Sequence, residues 1–314
     1  MTAWRVHQRA CGSAVMAVND AEVVMRPSGA LWLEGERALV VADLHLEKGS
    51  AYAARGQMLP PYDTRETLDR LQAEIEALDP RVTVLLGDTL HDGSATTRIA
   101  PDDRERIEEL ARRTTLLWIT GNHDPDGSGD LAGETAVEIG LSKLVLRHEP
   151  SPGPTPGEAA GHLHPCARVK GKAGSVRRRC FVTDGERLIL PAFGAYAGGL
   201  NVRDPAFAGL FARPPLAVAL GQKAHAVRWG MLVGDCASFS RWEKGEPAQM
   251  ARTDIVLARG MRARWATRMN PTLTLRARSG LLRIPLRAAL SHKGRGRFKT
   301  PAPDATPRCA PACR

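Results

Sequence analysis

Short apolar runs recur along the chain, most of them closed by a cluster of polar residues, and two of the intervening stretches carry a helical period. Val23-Val24-Met25, Ala30-Leu31-Trp32-Leu33 and Ala38 to Ala42 are β-prone. The turn formers Pro27-Ser28-Gly29 and Glu34-Gly35-Glu36 separate them, so they predict three strands. Residues 1–20 show no clear period and predict no element. Glu47-Lys48-Gly49-Ser50 reads as a polar loop. Leu68, Leu71, Ile75 and Leu78 lie at helical spacing and predict a helix starting near Tyr62, with Asp63 as N-cap and Glu66 as its reciprocal partner. These leucines and the isoleucine are core positions, not functional ones. A second helix, Asp102 to Arg113, has acids in its first turn and Arg112 and Arg113 in its last, as the helix dipole favours.

Val82 to Leu86, Leu116 to Thr120 and Leu144 to Leu146 predict further strands. Cys180-Phe181-Val182 and Leu188-Ile189-Leu190 flank the turn Asp184-Gly185 and predict a hairpin. Leu216 to Leu220 and Ala224 to Val227 predict another, and Gly194 to Asp204 reads as loop.

The polar clusters that end the runs carry the chemistry. Five stand out: Asp43-x-His45, Gly87-Asp88, Gly121-Asn122-His123-Asp124, His148, and Gly161-His162-x-His164. On an extended chain side chains alternate, so Asp43 and His45 would project to one face. In open α/β sheets ligands gather beyond strand C-termini, so the five clusters can converge. Leaving His123 and Asp124 aside, they offer two aspartates, one asparagine and four histidines. One shared carboxylate would then give each of two cations four ligands. A mixed N/O set suits Mn²⁺, Fe or Zn²⁺ and lacks the thiolates of a structural zinc site. Any one of these pairs alone would more often be a solvated turn; the ordered set is what points to a centre. His7, His225 and His292 lie far from the clusters and read as surface residues.

Hydrophobic residues make up 43% of the 314 and charged residues 25%, the range of a globular protein. No apolar run approaches the roughly 20 residues of a membrane span, and no secretory signal is visible, so a cytoplasmic protein without membrane contact is expected. The six cysteines are scattered and read as reduced thiols. The net charge of +10 is unevenly placed: residues 226–314 hold 18 Lys+Arg against 5 Asp+Glu, and the rest of the chain is net −3. The chain therefore divides into a domain over residues 1–227 and a basic, poorly structured extension over 228–314, with Ser291 to Arg314 disordered. Few aromatics are interleaved where the charge is densest, so the extension reads as unstructured chain before it reads as a nucleic-acid arm.

The ordered clusters resemble the five-part signature of the calcineurin-like metallophosphoesterases. Leu44 to Ser50, Arg55-Gly56-Gln57, Leu59 to Thr64, Arg147 to Pro150, Gly161 to Pro165 and Leu190 to Gly194 are similar to the ligase-associated DNA damage response endonuclease family within it. The resemblance covers about residues 20 to 227. It implies an α/β fold: a sandwich of two mixed sheets with helices on both outer faces. It implies that Asp43, His45 and His164 hold one metal, that Asn122, His148 and His162 hold the second, and that Asp88 bridges them. His123 would be the general acid, held cationic by a hydrogen bond from its imidazole to Asp124. His91 would sit just behind the ligands, although a turn histidine bonded to backbone is an equal reading. Lys48 and Arg55 are candidates for substrate phosphates, and Arg177-Arg178-Arg179 for a nucleic-acid groove. The implied activity is metal-dependent cleavage of DNA in bacterial repair, beside a ligase and a helicase, with Mn²⁺ the first choice of metal. A phosphatase or phosphodiesterase for a small nucleotide or phosphoprotein is the alternative, and the acidic balance of residues 1–225 leans toward it. A non-enzymatic, metal-holding scaffold that docks nucleic acid would have no need of His123. The oligomeric state is not legible.

Overall fold

The computed structural model describes residues 4–171, 174–234, 272–277 and 280–285. Two sheets face each other. The first has eight strands in chain order: His7–Gln8, Ala14–Val18, Ala21–Met25, Leu31–Leu33, Ala38–Val41, Val82–Leu86, Thr115–Ile119 and Glu134–Ala136. Its N-terminal half is antiparallel, and from Ala38–Val41 onward neighbours run parallel. Parallel neighbours need crossovers: the helices Lys48–Ala54, Asp63–Leu78, Ala95–Arg98 and Pro101–Arg113 supply the first two, and turns over residues 120–133 the third.

The unbroken apolar runs of these strands follow from burial on both faces. Val40, Val84, Leu86, Leu117 and Ile119 point into the space between the sheets. Leu39, Val41, Leu85 and Trp118 point to the helical layer, against Leu68, Leu71, Ile75, Ile107 and Leu110. Leu68, Leu71 and Ile75 are each 2% exposed. Burial of that stripe stabilises the helix by roughly 1.5–3 kcal/mol per side chain.

The second sheet pairs Leu144–Arg147 parallel to Glu158–Ala160, and that strand parallel to Leu188–Ile189. Leu144, Leu146, Phe181, Leu188, Leu190 and Val218 complete the central core. Its outer face is covered differently from the expectation of helices on both sides. Phe207, Leu210 and Leu232, from loops and 3₁₀ turns, pack on Cys180, Val182, Ile189 and Ala217. Among the described residues no α-helix follows Pro101–Arg113, and loops and 3₁₀ turns close that face.

Other expectations also shift. Residues 1–20 contain two strands of the first sheet, whose apolar positions do not alternate cleanly with polar ones. The long hairpin Pro165–Gly171 with Gly174–Thr183 was hidden by its arginines and lysines. Glu47 to Ser50 is not all loop, because Lys48–Ala54 is helical. Tyr62, not Asp63, precedes the second helix, and the Asp63 carboxylate accepts from the Gly49 backbone N–H at 3.0 Å. Cys166 and Cys180 are buried free thiols, but Cys11 is disulfide-bonded, so the reading of reduced thiols fails there. Among the described residues no helix is long and apolar enough to cross a membrane.

Beyond residue 227 the packed chain continues through Val233. Leu232 is buried, and the Val233 N–H donates to the Arg168 carbonyl at 2.9 Å. Thr272–Ala277 pairs with Gly280–Pro285 and with the strand Glu138–Leu141. The stretch expected to be disordered, Ser291 to Arg314, lies outside the described residues.

Candidate metal centre

The parallel register decides where the polar clusters meet. Val41 lies beside Leu85 and Leu86 beside Ile119, so three strands end level and release Asp43, Asp88 and Asn122 at one edge. From the second sheet, Arg147 beside Ala160 releases His148, His162 and His164 at the same end. The loops are tied to one another: the Asp43 N–H donates to the Gly87 carbonyl at 3.2 Å and the His45 N–H to the Asp88 carbonyl at 2.9 Å. The Ala42–Ala192 bridge joins the two sheets at this edge.

Alternation is not what aims Asp43 and His45 together. Both are in the left-handed region, with φ 55° and 47°, as are Asp88 (46°), His162 (67°) and His164 (45°). Non-glycine residues avoid this region, and a run of them at one site marks strain held by its surroundings. The two aspartates are clamped by neighbouring loops. Asp43 accepts from the His162 N–H at 3.1 and 3.0 Å, and Asp88 accepts from the His123 N–H at 2.9 Å. Two glycines make room. A Cβ at Gly121 would lie 2.3 Å from the Asp88 carboxylate, and one at Gly161 would lie 2.5 Å from that of Asp43.

Two groups result. Asp43, His45 and His164 form the first, with His164 Nε2 3.2 Å from the Asp43 carboxylate and 3.2 Å from His45 Nε2. Asp88, His148 and His162 form the second. His148 Nε2 lies 3.3 Å from Asp88, 3.0 Å from Asn122 Oδ1 and 3.2 Å from His162 Nδ1. His148 Nδ1 is 3.7 Å from Asp43, so the groups adjoin.

This donor set fits cations. The Leu86 carbonyl, 3.2 Å from His148 Nδ1, can only accept. Nδ1 therefore carries the hydrogen, and the Nε2 lone pair faces a carboxylate oxygen, an amide oxygen and another imidazole. With Nε2 unprotonated, acceptors crowd one point, and either a proton on Nε2 or a cation in its place satisfies them. The protein's own charges show the same tension. Burial opposes a charge on His148, but the hydrogen bond to Asp88 and the charges of Asp43 and Asp88 outweigh it and raise its pKa to about 9. Burial also opposes ionisation of Asp88, yet His148 and His123 hold it well below the usual carboxylate range. Burial and the neighbouring His164 push His45 down, and its Nδ1 is buried without a partner among the described residues.

His123 lies at the rim of both groups, its Nε2 3.9 Å from Asp88. The expected bond from its imidazole to Asp124 is not formed. Its Nδ1 is 2.8 Å from the His91 carbonyl, which fixes Nδ1 as the donor. Asp124 instead accepts from the backbone N–H groups of Asp88, Thr89, Leu90 and Gly121 at 2.8–3.2 Å. It clips the Asp88 loop to the Gly121 turn and is fully engaged there. Burial raises its carboxyl to about 6 despite those donors.

The His91 ring stacks on His123 at 5.5 Å and meets His45 edge-on at 5.7 Å, so it sits beside the centre as well as orienting His123 through its carbonyl. Burial and the charges of Lys48 and His123 lower it to about 4. Lys48 is half-buried near the Tyr52 ring, and its charge depresses both His45 and His91. Arg55 is exposed and acts on His91 through space. The carbonyls of Leu86 and His91 were beyond sequence reasoning, since backbone groups leave no residue-type signal. Gly121 and Gly161 did leave one, by preceding their clusters.

Residues 36–186 match the calcineurin-like phosphoesterase family. No curated protein matches the chain. The crystal structure of the nuclease MPE from Pseudomonas putida is 28% identical, with a TM-score of 0.53, covering 68% of this chain and all of that one. Yfce, a phosphoesterase from E. coli, aligns at 17% identity and a TM-score of 0.31, over 52% of this chain and 82% of that one. The convergent strand ends, the two acceptor-rich groups and the family match agree: over residues 36–186 the chain carries a calcineurin-like phosphoesterase domain.

Proposed function

We propose that the protein is a dinuclear-metal phosphodiester hydrolase that cuts nucleic-acid strands. The observation that carries this reading is the adjacency of the two acceptor-rich groups, with the imidazole of His123 at their common rim. Asp43, His45 and His164 would hold one divalent cation, and Asn122, His148 and His162 the other, with Asp88 shared. Mn²⁺ suits this set, with Fe and Zn²⁺ as alternatives. Bound cations would polarise the phosphoryl oxygens and lower the pKa of water to the neutral range.

The chain's own groups do the rest. The clamps keep the carboxylates of Asp43 and Asp88 aimed. The His91 carbonyl holds the His123 proton at Nδ1, so Nε2 faces the reacting centre and, when protonated, can give its proton to the leaving oxygen. Asp124 keeps the Asp88 loop and the Gly121 turn in register and is a positioning residue. Lys48, at the rim, would meet a substrate phosphate, with Arg55 further out.

The strand-cutting reading takes support from the nuclease to which this chain is similar. The further assignment to bacterial DNA repair beside a ligase and a helicase rests on the motif resemblance alone. Residues 1–227 would be the catalytic unit and 228–314 its basic extension. A small-nucleotide or phosphoprotein substrate is the second reading, favoured by the net −3 charge of residues 1–225. The test is a substrate panel with Mn²⁺: single-stranded oligonucleotide, nicked duplex, bis(p-nitrophenyl) phosphate and p-nitrophenyl phosphate. Strand cleavage abolished by Asp88→Asn supports the proposal, and turnover confined to the small esters overturns it.

A further inference from the structure

A cavity of about 400 Å³ opens at the same end of the sandwich as the metal centre, lined by Pro27, Arg177, Arg178, Arg179, Leu220 and Gly221. The topology ties it to the centre. Arg179 lies opposite Cys166, two residues past His164 on the neighbouring strand. Strand spacing puts their Cα atoms about 8 Å apart. The strand Gly174–Thr183 pairs with Leu216–Leu220 only from Cys180 onward, so its Arg177–Arg179 edge faces the cavity without a strand partner there. Between cavity and centre lies the segment from Pro191 to Gly194. The Phe193 N–H donates to the Ala42 carbonyl at 2.8 Å, and Arg179 Nη1 donates to the carbonyls of Ala192, Phe193 and Gly194 at 3.0–3.3 Å.

Basic groups predominate here. Half-buried Arg179 donates only to carbonyls, which do not neutralise it. Half-buried Arg70 donates to the Ser28 carbonyl and stacks 4.5 Å from the Phe193 ring. Exposed Arg178 donates only to the Arg177 carbonyl. Glu66 and Glu74 act on Arg70 through space, and Glu66 on Arg179, but Arg178 has no such acid beside it among the described residues. Arg70 and Arg179 also press on one another, since burial first and then the Arg179 charge lower Arg70 to about 10. Guanidinium groups that are not bonded to a carboxylate hold an anion favourably, and their fork geometry matches a phosphodiester.

We propose that this cavity is a subsite for a backbone phosphate of the bound strand, one or two nucleotides from the phosphodiester at the metal centre. The Cα separation of about 8 Å allows no more than that along an extended strand. The subsite rests on the strand-cutting reading and adds to Lys48 and Arg55 a second basic contact for a polyanion in an otherwise acidic domain. It also explains why discrimination between a strand and a small diester need not reside at the metals.

Arg178→Glu tests it, because that side chain is exposed and outside the centre; Arg178→Lys keeps the charge. A fluorescein-labelled single-stranded 12-mer is titrated with each full-length protein in EDTA, at several salt concentrations, and read by anisotropy. The expected result is at least a tenfold rise in Kd for Arg178→Glu, a salt slope shallower by about 0.7, and near wild-type binding for Arg178→Lys. Hydrolysis of bis(p-nitrophenyl) phosphate should stay within twofold throughout. Unchanged 12-mer binding in Arg178→Glu, or an equal loss on the small diester, overturns the subsite. A wild type that binds the strand and never cuts it sinks the nuclease reading alone. One that cuts it, with cutting indifferent to Arg178→Glu, sinks the subsite alone, and one that binds no strand sinks both.

Discussion

Two buried polar clusters, one on the second sheet and one where the strand ends of both sheets meet, solve burial in opposite ways. Arg187 and Glu158 are 1% and 2% exposed and pair at 2.6 Å. Its Nη groups also donate to the carbonyls of Ser151, Gly153 and Leu210 at 2.6–2.8 Å, and the Ser151 N–H returns to Glu158, while the buried Arg187 Nε is left over. Donor meets acceptor and charge meets counter-charge. At the metal centre, a short way along the same chain, acceptor meets acceptor: Nε2 of His148 against Asp88, Asn122 and His162. The first arrangement is complete within the chain but for the Arg187 Nε. The second needs something from outside at the His148 Nε2, a proton or a cation. Burial and charge alone would not tell the two apart; the pairing of donors with acceptors does.

That contrast can be broken from either side. The largest effect is expected at the centre: Asp88→Asn, or removal of metal by a chelator, should cut phosphodiesterase kcat/KM by on the order of 10³-fold or more, while circular dichroism shows the fold intact. Retained turnover after Asp88→Asn would mean that the group is a structural knot like the other. Next comes Arg187→Met, which strands Glu158 in the interior and should destabilise by about 3–5 kcal/mol. Denaturant unfolding reads this, and Arg187→Met with Glu158→Leu should recover most of it; failure to recover would show that the pair is more than a satisfied structural contact.

His123→Ala sharpens the comparison within the centre. It should lower cleavage of an oligonucleotide by about 10²–10⁴-fold. Hydrolysis of bis(p-nitrophenyl) phosphate should fall far less, because an aryloxide leaves without a proton. Equal losses on both would remove His123 from the role of acid. Gly161→Ala, by pressing on Asp43, should weaken metal affinity about 10–100-fold, measured by metal content after dialysis. The smallest effect is expected from ending the chain after Gly234: the small diester should be turned over as before. Ending it at Val227 should lower the melting temperature, since Leu232 and Val233 pack on the second sheet.

Much of this was legible in the chain. The strands that carry Asp43, Asp88 and Asn122 were marked by apolar runs ending in polar residues, because strands buried on both faces must be apolar throughout. The helix Asp63–Leu78 was marked by its stripe. The helix Lys48–Ala54 was not: it holds a glycine and no apolar stripe, and side chains distant in sequence stabilise its start, Asp63 at Gly49 and Thr64 at Glu47. The strand Gly174–Thr183 was obscured because arginines occupy the positions where alternation would show.

The sequence by itself determined which side chains are available at the ends of the apolar runs, since burial dictates where a run stops and a polar cluster can begin. It showed a glycine ahead of two clusters, at 121 and 161, but the closeness of the Asp88 and Asp43 carboxylates that requires them came from the fold. Only the tertiary structure decided what those side chains do. Left-handed backbone at Asp43 and His45, not strand alternation, aims them; Asp124 is spent on four backbone donors, and a carbonyl of His91 holds His123 instead. The reason is physical: a hydrogen bond to a main-chain group depends on where the chain passes, and any residue can place a carbonyl or an N–H at that point.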